Sequence, residues 1–478
     1  MTEEKTWDWG KILFRLAALM YAIALVAYFF HALDINPQFD TQGIRYSLEL
    51  LSAKDQGQLW DWLTQIPPRK YPLLYILPFS LLESFFWVSN EGMDMIHVHA
   101  ITRLVTVLYA LGTFWVLGRI TRRLFGDHRA ATLLLMTSTN FFLFSTAVRP
   151  HMAAAFWMLM TFSFSFDLRH DSSLKMKCLA FGSAACSFAV LQSGLFAFFF
   201  PVFAILFYDR HVQPFLKAAG WSIGAGALGL IVGYPFVLTM LSGATGATTL
   251  AAGMNHDVGI FMLPELLPLK FWQLFACDSI LLLAAAYGVW KTWQKKEKTM
   301  PILITLFLFV LVFGMQPITS PRFFIPVLPF FAILGAPALI GRRRLHMAIA
   351  CLCILMFAKL ALLAAQPNTY QRASAFVNAQ DGFLLTRIPT YFLNVPDEKY
   401  AKTDQDAKRL FFLLKENEHI PDVEALPLCA SFIATDLPTE NLISNYMFLW
   451  QEVEWPLLYL AGTKSLGINL RMYCTPPL

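Results

Sequence analysis

The sequence predicts an all-α polytopic membrane protein, with about eleven transmembrane helices and further interfacial helices, that ends in a small C-terminal α/β domain. Three observations predict it. Of 478 residues, 57% are hydrophobic and only 14% are charged, against about 25% charged in soluble domains. The apolar residues gather into repeated runs near the length of ~20 residues that a helix needs to cross a hydrocarbon core, whereas a soluble core shows shorter amphipathic segments. Basic residues fall in every second loop, the asymmetry that orients helices in a bilayer.

Taken in chain order, spans are expected at residues 12–32, 101–120, 130–147, 152–166, 178–192, 194–208, 218–241, 271–290, 300–315, 323–340 and 346–365. The first is followed by Asp34 and Pro37 rather than by a small-residue cleavage site, so it reads as an uncleaved helix. The stretch 178–208 reads as two short spans broken near Ser193–Gly194, or as one long tilted helix. With the N-terminus in the cytoplasm, the inner loops hold Arg119, Arg122, Arg123 and Arg129, then Arg169, Lys175 and Lys177, then Arg210 and Lys217. Lys291, Lys295, Lys296 and Lys298 follow, and then Arg342, Arg343 and Arg344. The outer short loops hold only Arg149, Lys270 or Arg322. These eleven spans place the C-terminal domain outside the cytoplasm.

Two domains are expected: a membrane domain over 1–365, with 33–100 as its first external loop, and a periplasmic or extracellular domain over 366–478. The segment 71–88 is nearly long enough to span but contains Pro72, Pro78 and Glu83, which an unprotected span disfavours. It reads as an interfacial or re-entrant helix. The C-terminal domain carries nine Lys and Arg against thirteen Asp and Glu, a balance of −4, while the rest of the chain carries +9. That basic surplus sits in short loops and orients helices; it is no patch for nucleic acid. In the C-terminal domain 383–387 and 429–435 read as strands and 407–416 as a helix. The aromatic run from Phe448 to Tyr459 fits a domain core or a surface resting on the membrane. Cys429 and Cys474 fit a disulfide, in an oxidising compartment, or two buried thiols.

The first external loop carries the most chemistry. Ile44, Leu48 and Leu51 repeat at helical spacing, as in a helix lying on the membrane surface. Asp40 stands just before it. An N-cap explains that residue there, and so does a base at the bilayer interface. Arg69 and Lys70 meet the apolar segment that includes Tyr75; two adjacent cations fit a lipid phosphate at headgroup level, or ordinary snorkelling. Arg149-Pro150-His151 forms a short outer loop. Arg322 stands at the outer mouth of a Pro-rich helix, Pro321-Arg322-Phe323-Phe324-Ile325-Pro326-Val327-Leu328-Pro329. One carboxylate and several cations on one membrane face can hold a lipid-linked phosphate and deprotonate an acceptor hydroxyl.

At these residues the chain resembles the GT-C glycosyltransferases, more narrowly those that use dolichyl-phosphate-mannose or undecaprenyl-phosphate sugars. The features match in order over roughly residues 10–345. Asp40 follows the first span, with Arg45-Tyr46 downstream, and Lys70 to Tyr75 supply the Lys/Pro/Leu/Tyr segment. Thr102-Arg103-Leu104 and Val116-Leu117-Gly118-Arg119 come next, then Arg149-Pro150, then the Pro-rich run at Arg322. The resemblance implies an inverting enzyme that takes a sugar from a polyprenyl-phosphate donor and passes it to a lipid, glycan or protein acceptor. In it Asp40 is the single general base, Lys70 and Arg322 clamp the donor phosphate, and Arg69, Arg149, His151, Tyr46 and Tyr75 bind substrate. No cofactor and no metal are implied, since cationic side chains neutralise the leaving phosphate. Two positions depart from the family pattern: His151 and Thr41 stand where many relatives have acids. Membrane lipids are the remaining partner, and the lack of any Asn-x-Ser/Thr site fits a bacterial inner membrane.

Two rivals belong to other classes. A transporter or flippase would show internal repeats and polar residues on broken helices, and neither is read from the sequence. A non-catalytic binding protein would keep the fold and lose the second acid, as His151 allows.

Overall fold

The structure, a computed structural model, describes residues 8–34, 41–64, 72–87, 95–168, 170–171, 173–208, 213–238, 263–292, 300–315, 321–386, 393–400, 409–415, 418–433, 464–465 and 469–475. It is mostly helical, with a four-stranded sheet near the C-terminus. Among the described residues, each segment expected to span lies largely on helical backbone. Five helices among the described residues are both long and apolar enough to cross a membrane, and shorter apolar helices accompany them. Large apolar side chains on these helices, among them Trp115, Ile223, Phe307 and Leu355, are exposed. In water such surface would drive association; in lipid it is solvated. The chain is a multi-pass membrane protein.

Two compact units divide it. The first comprises residues 1–14 and 40–350, the second 15–39 and 351–478. In the first unit α2 (Thr41–Asp55), α3 (Leu59–Thr64) and α4 (Leu73–Trp87) fill the expected external loop. Helix α5 (Met95–Phe125) follows and ends at Gly126, whose φ of +78° suits glycine and turns the chain into the next helix. The expected span 130–147 is interrupted. α6 (Arg129–Met136) stops, and Ser138 caps α7 (Thr139–Phe144) by accepting the Phe141 N–H at 3.0 Å. Next come α8 (His151–Leu168) and α9 (Leu174–Val190), then a 3₁₀ turn (Gln192–Phe198) running into α10 (Phe199–Tyr208). The stretch 178–208 is thus two helices, because Gly194 lies against the Ser187 carbonyl and Leu191 is extended. α11 (Gln213–Gly233) places Gly229 and Gly233 against Ala185 and Ala189 of α9; small residues four apart let two membrane helices approach closely.

α12 (Leu267–Thr292) and α13 (Met300–Gly314) lead to a 3₁₀ segment (Pro321–Val327) that continues as α14 (Leu328–Leu339). Gly288 of α12 lies against the Leu334 carbonyl, where a Cβ would come within 2.0 Å. One apolar core runs through α5–α14, with Phe162, Phe200, Phe309, Phe324 and Phe330 among its buried rings.

In the second unit, α1 (Trp9–Asp34) meets α15 (Arg343–Ala364) through Tyr21 and Phe357, whose rings pack edge to face at 4.8 Å. α16 (Thr369–Asn378) opens on a reciprocal cap. Asn368 Oδ1 accepts the Gln371 N–H at 2.8 Å, and Gln371 Oε1 accepts the Asn368 N–H at 2.9 Å. Its far end is closed by Lys399, which donates to the Val377, Asn378 and Gln380 carbonyls. The sheet runs β1 (Phe383–Thr386), β2 (Leu410–Lys415), β4 (Leu470–Cys474), β3 (Leu428–Phe432) in spatial order, with β1 parallel to β2 and the other pairs antiparallel.

One expectation is corrected here: of the helix expected over 407–416, the described residues 409–415 are not helical. Leu410-Phe411-Phe412-Leu413-Leu414 forms a central strand, with four of the five buried. A short apolar run has no periodicity to separate strand from helix, and its aromatic content favours the strand. The Phe448–Tyr459 run lies outside the described residues. Cys429 and Cys474 are joined as a disulfide, Cα atoms 6.0 Å apart, across β3 and β4. The register of β3 slips between Leu428 and Ala430. The bulge makes Cys429 the extra residue, free of the ladder and turned towards its partner.

Candidate active site

Five of the eight residues singled out in the sequence are described, and all five lie in the first unit. Asp40, Arg69 and Lys70 lie outside the described residues. Helix α2 starts one residue after Asp40, and α4 starts three residues after Lys70.

Arg149, His151 and Arg322 come together. The chain leaves α7, turns at Arg149, whose N–H donates to the Ala147 carbonyl at 2.8 Å, and enters α8 at His151. Pro150 between them fits the start of a helix, where a missing N–H costs nothing. His151 is 5% exposed. Its ring meets Phe144 at 6.0 Å and Phe323 at 5.3 Å, edge on in both cases. Arg322 stands in the 3₁₀ segment with its guanidinium 5.5 Å from the centre of the same Phe323 ring. The charges of both Arg322 and Arg149 act on His151. An imidazole with guanidiniums from two separate segments nearby is an arrangement in which a bound phosphate would find several donors.

Tyr46 and Tyr75 form a second group. Tyr75 is buried on α4, edge to face with Phe79 at 4.8 Å. Tyr46 on α2 packs onto the same cluster, which includes Val148, the residue before Arg149. The two groups are therefore neighbours along one turn of chain. Arg45, by contrast, points outward and pairs with Glu49 at 2.7 Å on the exposed face of α2; such a pair adds little stability.

Three buried polar positions were given no site role in the sequence reading. Arg103 on α5, read there as part of a family motif, is 2% exposed. Glu83 is fully buried on α4. Asp278 is 1% exposed in α12, at a point where the helix breaks (φ −134°, ψ 35°), and Ser138 and Asn140 at the α6–α7 junction face it. The lone carboxylate of Asp278 in an apolar run was the legible signal, since an ionisable residue within a span is a functional candidate by default. The expectation that polar residues on broken helices are absent is thus corrected: α6–α7 and α12 both break at polar side chains.

Among the described residues no group of His, Cys, Asp and Glu is placed to hold a metal ion.

Comparison with known proteins places this geometry in a context. Residues 47–239 match the Alg9-like mannosyltransferase family. That segment runs from α2 past α11 and includes Arg103, Arg149 and His151; Asp40, on one side, and Arg322, on the other, fall beyond it. The crystal structure of ArnT from Cupriavidus metallidurans bound to undecaprenyl phosphate superposes with a TM-score of 0.52 at 11% identity, covering 95% of this chain and 97% of that one. The apo state of the same protein gives 0.51 at 12% identity, covering 86% and 95%. At such identity the likeness is one of fold. No curated protein matches the chain.

Proposed function

We propose that this chain is a glycosyltransferase of the GT-C superfamily, a reading supported by the family match over residues 47–239 and by the ArnT-like fold, and that it transfers a sugar from a polyprenyl-phosphate donor to a lipid, glycan or protein acceptor on the non-cytoplasmic face of the membrane. The observation that carries the reading is that Arg322, far from His151 in sequence, stands against the same Phe323 ring as His151, which lies two residues from Arg149. The ArnT structure with undecaprenyl phosphate supports the donor class.

In this reading the acceptor hydroxyl oxygen attacks the anomeric carbon from the face opposite the phosphate. Asp40 takes its proton, the bond from the anomeric carbon to the phosphate oxygen breaks, and the phosphate leaves with the electron pair. The anomeric centre inverts. Lys70, Arg69, Arg322 and Arg149 neutralise the charge that grows on the departing phosphate, a role that preorganised cations perform best where water is excluded. His151 donates a hydrogen bond to the phosphate or the sugar, and Tyr46 and Tyr75 line the side of the site formed by α2 and α4. The membrane domain, 1–365, houses this chemistry, and 366–478 stands outside the cytoplasm. The Cys429–Cys474 disulfide supports that side, because disulfides persist in oxidising compartments. The alternating basic loops agree with it.

A transporter reading draws on the breaks at Asp278 and Ser138. The family match over α2–α11 favours the transferase.

The test is transfer itself. Purified protein in detergent, given a radiolabelled polyprenyl-phosphate sugar and a membrane extract as acceptor, is expected to move label into a new product. Donor binding with no product in any extract would point to a flippase or a binding protein. The topology has its own check. In intact cells a membrane-impermeant maleimide is expected to label Cys429 and Cys474 only after reduction, and labelling only after the cells are opened would put the domain inside.

A further inference from the structure

Two helix breaks meet in the core of the first unit. α12 departs from helical geometry at Asp278 (φ −134°, ψ 35°), and α6 gives way to α7 at Thr137 and Ser138. α12 packs against both α6 and α7. Asp278 is 1% exposed, and Ser138 and Asn140, which face it, are buried as fully. Leu274, Leu281 and Leu282, one turn away on the same side of α12, belong to the apolar core. Neither carboxylate oxygen of Asp278 meets a donor at full hydrogen-bonding geometry. Among the described residues no cationic side chain acts on it; the groups that do are the Ser138 hydroxyl and the Asn140 amide, both neutral. A carboxylate buried without a counter-charge costs more than contacts with neutral groups return.

The local chemistry selects the kind of counter-charge. The ligands at hand are oxygens: the carboxylate pair, the Asn140 amide oxygen and the Ser138 hydroxyl, which already accepts the Phe141 N–H at 3.0 Å. Hard oxygen ligands suit alkali and alkaline-earth cations. One negative charge balances one positive charge, and a divalent ion would leave a surplus in the same apolar core. α6 ends at this point, and the carbonyl end of a helix favours a cation. Broken membrane helices hold Na⁺ in this way, with unwound carbonyls and half-helix ends gathered at one depth. Such a site needs one ionised ligand and no cluster of His, Cys, Asp and Glu. We propose that Asp278, with Ser138 and Asn140, forms a binding site for one monovalent alkali cation, of sodium size, where the breaks of α12 and α6–α7 meet. The cation ties the two broken elements together. The site stands apart from the transfer chemistry and holds whether or not the chain moves a sugar.

The experiment uses the full chain in detergent, exchanged into choline chloride, with radioactive sodium as the probe. The parent is expected to bind Na⁺ saturably, at about one ion per chain, and its thermal midpoint to rise by about 2 °C or more in NaCl over choline chloride at equal ionic strength. Asp278→Asn keeps the shape and removes the charge. It is expected to bind no Na⁺, to lose the rise in NaCl, and to be at least as stable as the parent in choline chloride, because the uncompensated charge is gone. Ser138→Ala and Asn140→Ala keep the carboxylate and are expected to weaken Na⁺ binding by about tenfold. A carboxyl that simply carries a proton gives another pattern, with no bound Na⁺ and one midpoint in both salts. That result overturns the proposal, and so does Na⁺ binding that survives Asp278→Asn. If Asp278→Asn fails to fold, the affinities of Ser138→Ala and Asn140→Ala decide, and unchanged affinity in both overturns the site.

Discussion

Asp40→Asn is expected to lower the transfer rate by about 10² to 10⁴, the range a positioned general base supplies, and to leave donor binding in place. The amide has nearly the shape of the carboxylate and cannot accept the hydroxyl proton. A structural N-cap gives a different result, because Asn caps helices as well as Asp does: the variant would then keep both its stability and its rate. The single substitution therefore separates the two roles that the residue's place before α2 allows. Product formation from a saturating polyprenyl-phosphate sugar is the measurement, with thermal unfolding in detergent as the companion. A rate within about twofold of the parent would assign Asp40 to capping.

Arg322→Ala is expected to cost about 10² to 10³ in kcat, the loss seen when one preorganised stabiliser of developing charge is removed. Its guanidinium sits over the Phe323 ring, which also meets His151, so the group is held before the substrate arrives. Arg322→Lys keeps the charge without the planar fork and without the stacking that a guanidinium makes on an aromatic ring. It is expected to fall between the two. Because the charge on the phosphate grows as the glycosidic bond breaks, kcat should fall more than donor KM rises. A change confined to KM would make Arg322 a binding anchor that treats ground state and transition state alike.

The fold was legible wherever one helix does one thing. α1, α5, α8 and α15 each carry an uninterrupted apolar run, and each lies where hydropathy puts it. The small sheet was half legible. β1 and β3 fall on expected strands, but Leu410–Lys415 pairs with partners on both sides, and a strand buried among strands loses the alternation that identifies it. The disulfide needed the bulge at Cys429, which depends on the pairing of β3 with β4 and leaves no mark on the spacing of the cysteines.

The candidate site shows the same boundary. Residue type and membrane side brought Arg149, His151 and Arg322 to notice, and the fold adds that Phe323 stands between His151 and Arg322. Glu83 was read as a mark against a membrane span. The fold shows what resolves that cost, a serine 36 residues away on another helix, and a long-range partner of this kind has no local signature. Asp278 had a signal, one carboxylate within an apolar run, but the facing Ser138 and Asn140 lie on a helix pair whose break hydropathy smooths over. The alternate basic loops gave orientation through the number of spans, an inference that the Cys429–Cys474 disulfide supports from independent chemistry.

The most direct test is an experimental structure of the protein with undecaprenyl phosphate. The account predicts phosphate density within hydrogen-bonding distance of Arg322 and Lys70, beside His151, with the Asp40 carboxylate on the same face of the membrane and room for a sugar between them. Phosphate bound away from Arg322, or Asp40 on the opposite leaflet, would contradict it.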